Sequence, residues 1–363
     1  MKANFLVRHV TFVVGLCLAV SASADPIKIG VPTALTGDAA AFGQDLKNAL
    51  TLANETFGAG KYELLFEDER CINKDAATVA HKLIDVDKVK YALGFPCNST
   101  LLATAPLYER AGVLVITASA TSGDVQDIGK NIFRLFPSDT GCSKALQEYV
   151  GVRNKKIAII TEQNEYPVMM ERSFVTFNAA SAKPLEVKSF EFMHGSSDLR
   201  TIATKIRAQG FDAVFLNANT DASFIDMVKQ IGDQQLRADM YSAYLPGSKS
   251  VLDALGSKVN GFKYCNLPIT DELVTGRGKE LMKKFRARYG EPQSGFPVVP
   301  TALESLRLLD VALQSGTTPA DFLRSKKFTD GVIPTYWFEH GAIQGIGFQM
   351  QEVRDGKVIA LTD

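Results

Sequence analysis

The feature that most restricts the fold is an alternation that runs along the chain twice. Short apolar runs, Ile27–Val31, Tyr62–Phe66, Tyr91–Phe95 and Val113–Thr117, are separated by segments with helical spacing. Leu46, Ala49, Leu50, Ala53 and Phe57 mark the first helix. Val79, Ala80, Leu83 and Ile84 mark the second, and Leu101 to Ala111 the third. The order restarts beyond Phe133-Arg134-Leu135-Phe136-Pro137. There Ile157–Thr161 leads to a helix near 168–181, a strand near 185–192 and a helix through Leu199, Ile202, Ala203 and Ile206. Strand Ala213–Leu216, helix Phe224–Ile231 and strand Met240–Tyr244 complete the second set. Strands of this kind pair in parallel, because a parallel crossover carries a helix that covers the sheet. Two sets predict an α/β protein with two doubly wound parallel-sheet lobes.

The remaining segments fit that reading. Gly261–Tyr264 reads as a further strand, followed by helices over about 275–289 and 300–315. Ala302, Leu306, Leu309 and Leu313 line one face of the second helix. Thr335 to Ile359 is strand-like with Gly-rich turns. No Gly/Ser/Pro linker separates the halves, which points to several short crossings instead of one flexible tether. A length of 363 residues suits two domains.

The N-terminus has the layout of an export signal. Lys2 and Arg8 precede an 11-residue apolar run, Val10 to Val20, and Ala22-Ser23-Ala24 supplies small residues ahead of Asp25. A bilayer span needs about 20 residues. Cys17 follows Leu16, where a lipoprotein signal requires a small residue. Residues 1–24 are therefore expected to be a cleaved signal peptide, placing the mature chain in the periplasm. The mature chain keeps 38 basic and 40 acidic side chains, a net charge of −2. That balance speaks against a nucleic-acid partner. Five cysteines become four, Cys71, Cys97, Cys142 and Cys265. In an exported chain these read as two disulfides, with three pairings open.

Catalytic and metal patterns are not found. There is no C-x-x-C, G-x-S-x-G, H-E-x-x-H or Walker A sequence, and His81, His194 and His340 stand alone. Glu67-Asp68-Glu69-Arg70 reads as a solvated, Arg-paired loop. Nothing in these patterns demands an enzyme, and no metal or cofactor is expected. Open α/β sheets bind ligands beyond the carboxyl ends of their strands. Three first-half loops carry suitable groups there: Thr33–Gly37 reaching Phe42, Cys97–Thr100, and Thr117–Ser122. A helix starting at the second would offer backbone N–H groups to an anion.

These residues resemble a known family. Ile27–Val31, Leu35-Thr36-Gly37, Phe42-Gly43 and Glu67-Asp68 before Cys71 are similar to the periplasmic leucine/isoleucine/valine-binding proteins. Ala80-x-x-Leu83-Ile84, Gly94, Cys97-x-Ser99, Ile116-Thr117-x-x-Ala120-Thr121, Phe133-Arg134 and Ile157–Ile160 extend the resemblance. It implies the type I binding-protein fold, two lobes joined by three hinge crossings, near 136–139, 264–268 and 332–336. The first lobe would comprise 25–137 plus 267–333, the second 138–266 plus 334–363. A Cys71–Cys97 disulfide is implied, which leaves Cys142 and Cys265 to pair near the hinge.

The resemblance also assigns a site. The ligand's carboxylate would lie on Asn98, Ser99, Ser119, Ala120 and Thr121, with Phe42 beside it. Tyr166, Asn217, Asn219, Asp221 and Tyr244 would come from the second lobe. The family's acid for the ligand ammonium has no match in Ser242–Pro246, and Asp221 is the candidate substitute. The implied function is solute capture by hinge closure for an ABC importer, with a membrane permease as partner and the protein as a monomer. The ligand would be a small amino acid or related carboxylate, aromatic or amine-free acids included. The alternative is a sensor of the same fold that binds amides or organic acids and feeds a signalling partner.

Overall fold

The structure, a computed structural model, describes residues 25–193, 195, 199–232, 236–268, 272–294 and 297–361. The expected signal peptide, with Cys17, and His194 lie outside the described residues. In the first lobe, strands β1 (Ile27–Thr33), β2 (Tyr62–Asp68), β3 (Tyr91–Gly94), β4 (Leu114–Thr117) and β5 (Ile132–Arg134) alternate with helices. These are α1 (Ala40–Ala53), α2 (Asn73–His81) and α3 (Asn98–Arg110). In the second lobe α4 (Asp139–Gly151) leads to β6 (Lys156–Glu162), α5 (Glu165–Ala180), β7 (Glu186–Phe192), α6 (Leu199–Gln209) and β8 (Ala213–Asn217). Helix α7 (Asp221–Gly232), β9 (Asp239–Ala243), α8 (Lys249–Leu255) and β10 (Lys263–Asn266) follow. The chain then returns to the first lobe as α9 (Gly276–Tyr289), α10 (Val298–Leu313) and α11 (Pro319–Ser325). It ends in two hairpins, β11 (Trp337–Glu339) with β12 (Ala342–Gln344), and β13 (Gln349–Arg354) with β14 (Lys357–Ala360).

Each lobe holds one seven-stranded sheet. The orders are β2-β1-β3-β4-β5-β12-β11 and β7-β6-β8-β9-β10-β13-β14. The first five strands of each are parallel and the terminal hairpins add antiparallel pairs. The runs of the central strands β1, β3, β4, β6 and β8 are buried on both faces, as a sheet between two helix layers requires, whereas the edge strands β2 and β7 are only partly covered. Leu93 and Ile116 pack on the α1/α10 side, whereas Ala92 and Val115 pack under α3. In the second lobe Ile157 and Ile159 face one cluster, and Ala158 and Ile160 the other.

One expected boundary moves. The sequence reading placed the third crossing near 332–336 and assigned 334–363 to the second lobe. Instead β12 pairs with β5, with Ala342 opposite Arg134. Tyr336, Phe338 and Ile343 join the first-lobe core, and Phe338 meets Phe133 edge-on at 5.3 Å. The apolar face of the first hairpin fixes its lobe, so the chain crosses between Gln344 and Gln349. The other crossings lie between Arg134 and Asp139 and between Asn266 and Gly276. Both cysteine pairs are bonded: Cys71–Cys97 and Cys142–Cys265, each with Cα atoms 5.6 Å apart. The second bridge ties α4 to β10 beside the first two crossings.

Candidate functional site

In both sheets the strand order turns back at the first strand of the set, the position where α/β sheets open a crevice at their carboxyl edge. The two crevices face each other across one cavity that both lobes line. From the first lobe come Asp38 to Phe42 after β1, Pro96 to Ser99 after β3, and Ser119 and Thr121 after β4. Asn164, Glu165 and Tyr166 after β6, Asn219 to Asp221 after β8, and Leu245 after β9 come from the second. Ser294 reaches in from the α9–α10 connection. Gly43 allows this entry: a Cβ there would stand 1.7 Å from the Ala34 carbonyl oxygen, so only glycine lets α1 approach the β1 exit.

The first-lobe wall is built from interlocked polar groups. Helix α3 begins at Asn98, three residues earlier than the apolar spacing predicts. The Asn98 Oδ1 accepts the Thr121 and Ser122 backbone N–H groups at 2.7 and 3.0 Å, and its Nδ2 donates to Thr121 Oγ1 at 3.3 Å. Thr117 Oγ1 accepts from the Ser119 and Ala120 N–H groups at 3.3 and 3.0 Å. Buried Arg134 donates to the Thr121 carbonyl at 3.2 Å. The tetrapeptide expected to be a solvated loop is anchored instead. Asp68 accepts the Leu35 N–H at 2.8 Å and the Thr36 hydroxyl at 2.6 Å. Glu69 is buried under the Thr100 hydroxyl at 2.6 Å, and burial pushes its carboxyl up to about 7. Of the four, Arg70 meets the expectation, donating to Asp75 at 2.7 Å.

The expected site residues divide in two. Phe42, Asn98, Ser99, Ser119, Thr121, Tyr166, Asn219 and Asp221 line the cavity. Ala120, Asn217 and Tyr244 lie behind it. Ala120 packs in the core under α3. Asn217 donates to the Pro167 carbonyl at 2.7 Å and positions the start of α5. Tyr244 is fully buried, donates its hydroxyl to Asp139 and packs against Phe136, Tyr166 and Phe348. Its backbone has a positive φ (56°), and its ring lies toward the crossings, against Phe136 and Phe348.

The sequence reading missed Glu165. Asn164 Oδ1 caps α5 by accepting the Glu165 N–H at 2.8 Å, which sets this carboxylate at the cleft edge beside Tyr166. Neither Glu165 oxygen meets a donor in hydrogen-bonding geometry. Burial raises its pKa, opposed by the facing Ser122 hydroxyl and, more weakly, by Asn98 and Arg172, while Asp124 adds to the rise. Asp221 accepts from Ser250 through Oδ2, while Oδ1 is sealed and unpaired. Burial pushes it up to about 6. Among the described residues no group of His, Cys, Asp and Glu could hold a metal ion.

Residues 26–338 match the periplasmic binding protein family. The chain belongs to that family. Its members bind solutes and are not enzymes. An amino acid binding protein of Pseudomonas aeruginosa is 27% identical over 307 residues, covering 80% of this chain and 79% of that one. The Leu/Ile/Val-binding protein of Citrobacter freundii is 25% identical, covering 92% and 93%. The solute binding protein of an R. palustris ABC transporter, solved in complex with benzoate, superposes with a TM-score of 0.83. That pair is 16% identical and the match covers 93% and 95% of the two chains, so it shows the fold alone.

In this periplasmic binding protein the lobes meet at both ends of the cleft. At one end Arg172 of α5 pairs with Asp124 of the β4–β5 connection at 3.5 Å. At the other, the Ser250 N–H donates to the Gln293 carbonyl at 3.3 Å. Ser250 also holds Asp221, and Asp45 of α1 accepts the Gln293 and Ser294 N–H groups at 2.7 and 2.8 Å. Beneath the cavity, Asp139 is buried at the first crossing between Arg134, Thr121 and Tyr244. Burial outweighs these partners and lifts its carboxyl to about 7.

Proposed function

We propose that this chain is the solute receptor of an ABC importer, carrying a small amino acid or related carboxylate through the periplasm. The observation that carries the reading is one cavity shared by two lobes, with the α3 start and its hydroxyls on one wall beside Asp38, and Glu165 and Asp221 on the other. The first turn of α3 has backbone N–H groups without helical acceptors, and Ser99 and Ser119 stand beside it. These hold a carboxylate in the open form. Tyr166, Asn219, Asp221 and Glu165 close over the other side, and Phe42 and Tyr166 flank the ligand's body. The names of the relatives support the amino-acid class, and residues 1–24 act as the export signal.

Ligand favours the closed form by as much as its affinity differs between the two forms. Stripped mature protein is titrated calorimetrically with amino acids and organic acids, and small-angle scattering follows its size. Micromolar or tighter binding with a smaller radius of gyration is expected. Binding without compaction would leave a static pocket and remove hinge capture. N-terminal sequencing of periplasmic protein should begin at Asp25.

A further inference from the structure

The cavity wall carries a charge pattern beyond what carboxylate capture needs. Asp38, Glu165 and Asp221 line it, and among its described lining residues there is no Lys, Arg or His. Three carboxylate oxygens, both of Glu165 and Oδ1 of Asp221, are sealed from solvent with no donor in good hydrogen-bonding geometry, facing only neutral groups: Ser122 and Asn98 for Glu165, Ser248 for Asp221. Such groups are costly unless something brings N–H donors to them. The nearby cations are committed elsewhere, Arg172 to Asp124 and Arg134 to the Thr121 and Ser122 carbonyls.

The two acids have different surroundings. Glu165 faces Ser122 and Asn98, at the α3 end where a carboxylate would sit. Asp221 faces Ser248 and Ser250 at the opposite contact between the lobes. An α-amino acid carries its ammonium on the carbon next to its carboxylate, so that ammonium falls to Glu165. A branched-chain side chain or a benzoate ring would then bury Asp221 Oδ1 against carbon. A side chain ending in a cation would pair it, with its aliphatic stem between Phe42 and Tyr166.

We propose that the ligand is a basic α-amino acid of the arginine, lysine or ornithine class, with its α-ammonium on Glu165 and its side-chain cation on Asp221. This rests on the cavity being the solute site proposed above. The test is calorimetry of the stripped mature chain with arginine, lysine, ornithine, leucine and benzoate at about pH 7.5 and about pH 5.5. At the higher pH at least one basic amino acid should bind roughly a hundredfold tighter than leucine or benzoate, the scale of a desolvated charge pair. Its affinity should fall toward about tenfold per pH unit below pH 6, because Asp221 must be ionised. In Asp221→Asn the selectivity for that ligand over leucine should shrink to within about tenfold, while Glu165→Gln should weaken every amino acid alike. Leucine or benzoate binding as tightly as the basic amino acids would overturn the proposal and leave the receptor reading standing. No binding anywhere in the panel would overturn both. The wild-type selectivity decides the matter even if either variant fails to fold.

Discussion

The two lobes share a strand order yet present opposite kinds of wall to the cleft. The first lobe's polar groups satisfy one another: Asn98 holds residues 121–122, Thr117 holds 119–120, and Asp68 and Glu69 pin the β1 exit and α3. The second lobe brings Glu165 and Asp221 with open acceptors. A preorganised wall loses little entropy on capturing a ligand, whereas an unsatisfied one gains most when the ligand arrives. The disulfides repeat the contrast. Cys71–Cys97 borders the cavity, and Cys142–Cys265 lies at the crossings. By the chain-entropy argument, replacing Cys142 and Cys265 with Ser should cost about 5 kcal/mol, and replacing Cys71 and Cys97 about 3.5 kcal/mol. Denaturant titration measures both. The smaller loss should be the one that also weakens ligand binding, because Cys97 immediately precedes α3. Equal effects on affinity would erase the distinction between wall and hinge.

The next largest effect compares two asparagines. Asn98→Ala strands two buried backbone N–H groups and should cost about 2–3 kcal/mol, with affinity falling at least tenfold. Asn217→Ala loses donor bonds to Pro167 and Thr161 in the second lobe and should cost about 1 kcal/mol, with little change in affinity. Paired melts and titrations decide. A larger affinity loss in Asn217→Ala would place the organised wall in the wrong lobe.

The sheets were legible because a central strand buried on both faces needs a continuous apolar run, and such runs stand between helical segments in both halves. The tail was not. Short alternating hairpins read alike whichever sheet they join, and it is the pairing of β12 with β5 and the docking of Phe338 on Phe133 that assign β11 and β12. In the site, hydroxyl-rich exits from strands marked the first lobe because polar side chains at a helix start have a local role. Tyr244 read as ligand-facing because its positive φ and its packing against Phe136 and Phe348 leave no mark in sequence. Glu165 stood one position from Tyr166, but an acid in a helix's first turn is commonplace. What distinguishes it is burial against neutral groups with no cation in hydrogen-bonding reach, and Glu69 differs from a solvated acid only by tertiary burial.

Acidity probes the same contrast more gently. Glu69 and Asp139 have carboxyls raised to about 7, and Asp45 and Asp221 to about 6. A raised carboxyl binds its proton more tightly in the folded protein. Its stabilisation is complete below the unfolded value of about 4 and is lost as pH rises through the folded value. Denaturant titrations should therefore show the ligand-free protein losing stability between about pH 4 and about pH 7. Asp139→Asn should flatten that slope by up to about 1 kcal/mol per pH unit. A saturating cationic ligand should cancel the Asp221 share, because the ligand favours its ionised form. It should leave the shares of Glu69, inside the first wall, and Asp139, at the crossing. A slope that ligand removes entirely would mean that those two acids also belong to the cleft.

The smallest effect tests whether the lobes need the contacts they make around the ligand. The Arg172–Asp124 pair spans the cleft, but its side chains are 63% and 59% exposed. Exposed pairs contribute about 0–1 kcal/mol and weaken with salt. Because this pair bridges the lobes, its contribution belongs to the closed form. Arg172→Ala should raise Kd about two- to threefold at low salt and leave it unchanged near 1 M salt, with the melting temperature of the ligand-free protein unaltered. Ser250→Ala keeps the backbone contact to Gln293 but removes the hydroxyl's bonds to Asp221 and to the Gln293 carbonyl, so its loss should exceed that of Arg172→Ala and persist in salt. If Arg172→Ala instead weakened binding tenfold or more at both salt concentrations, the surface contacts would be driving closure. The open acceptors of the second wall would then have no part in it.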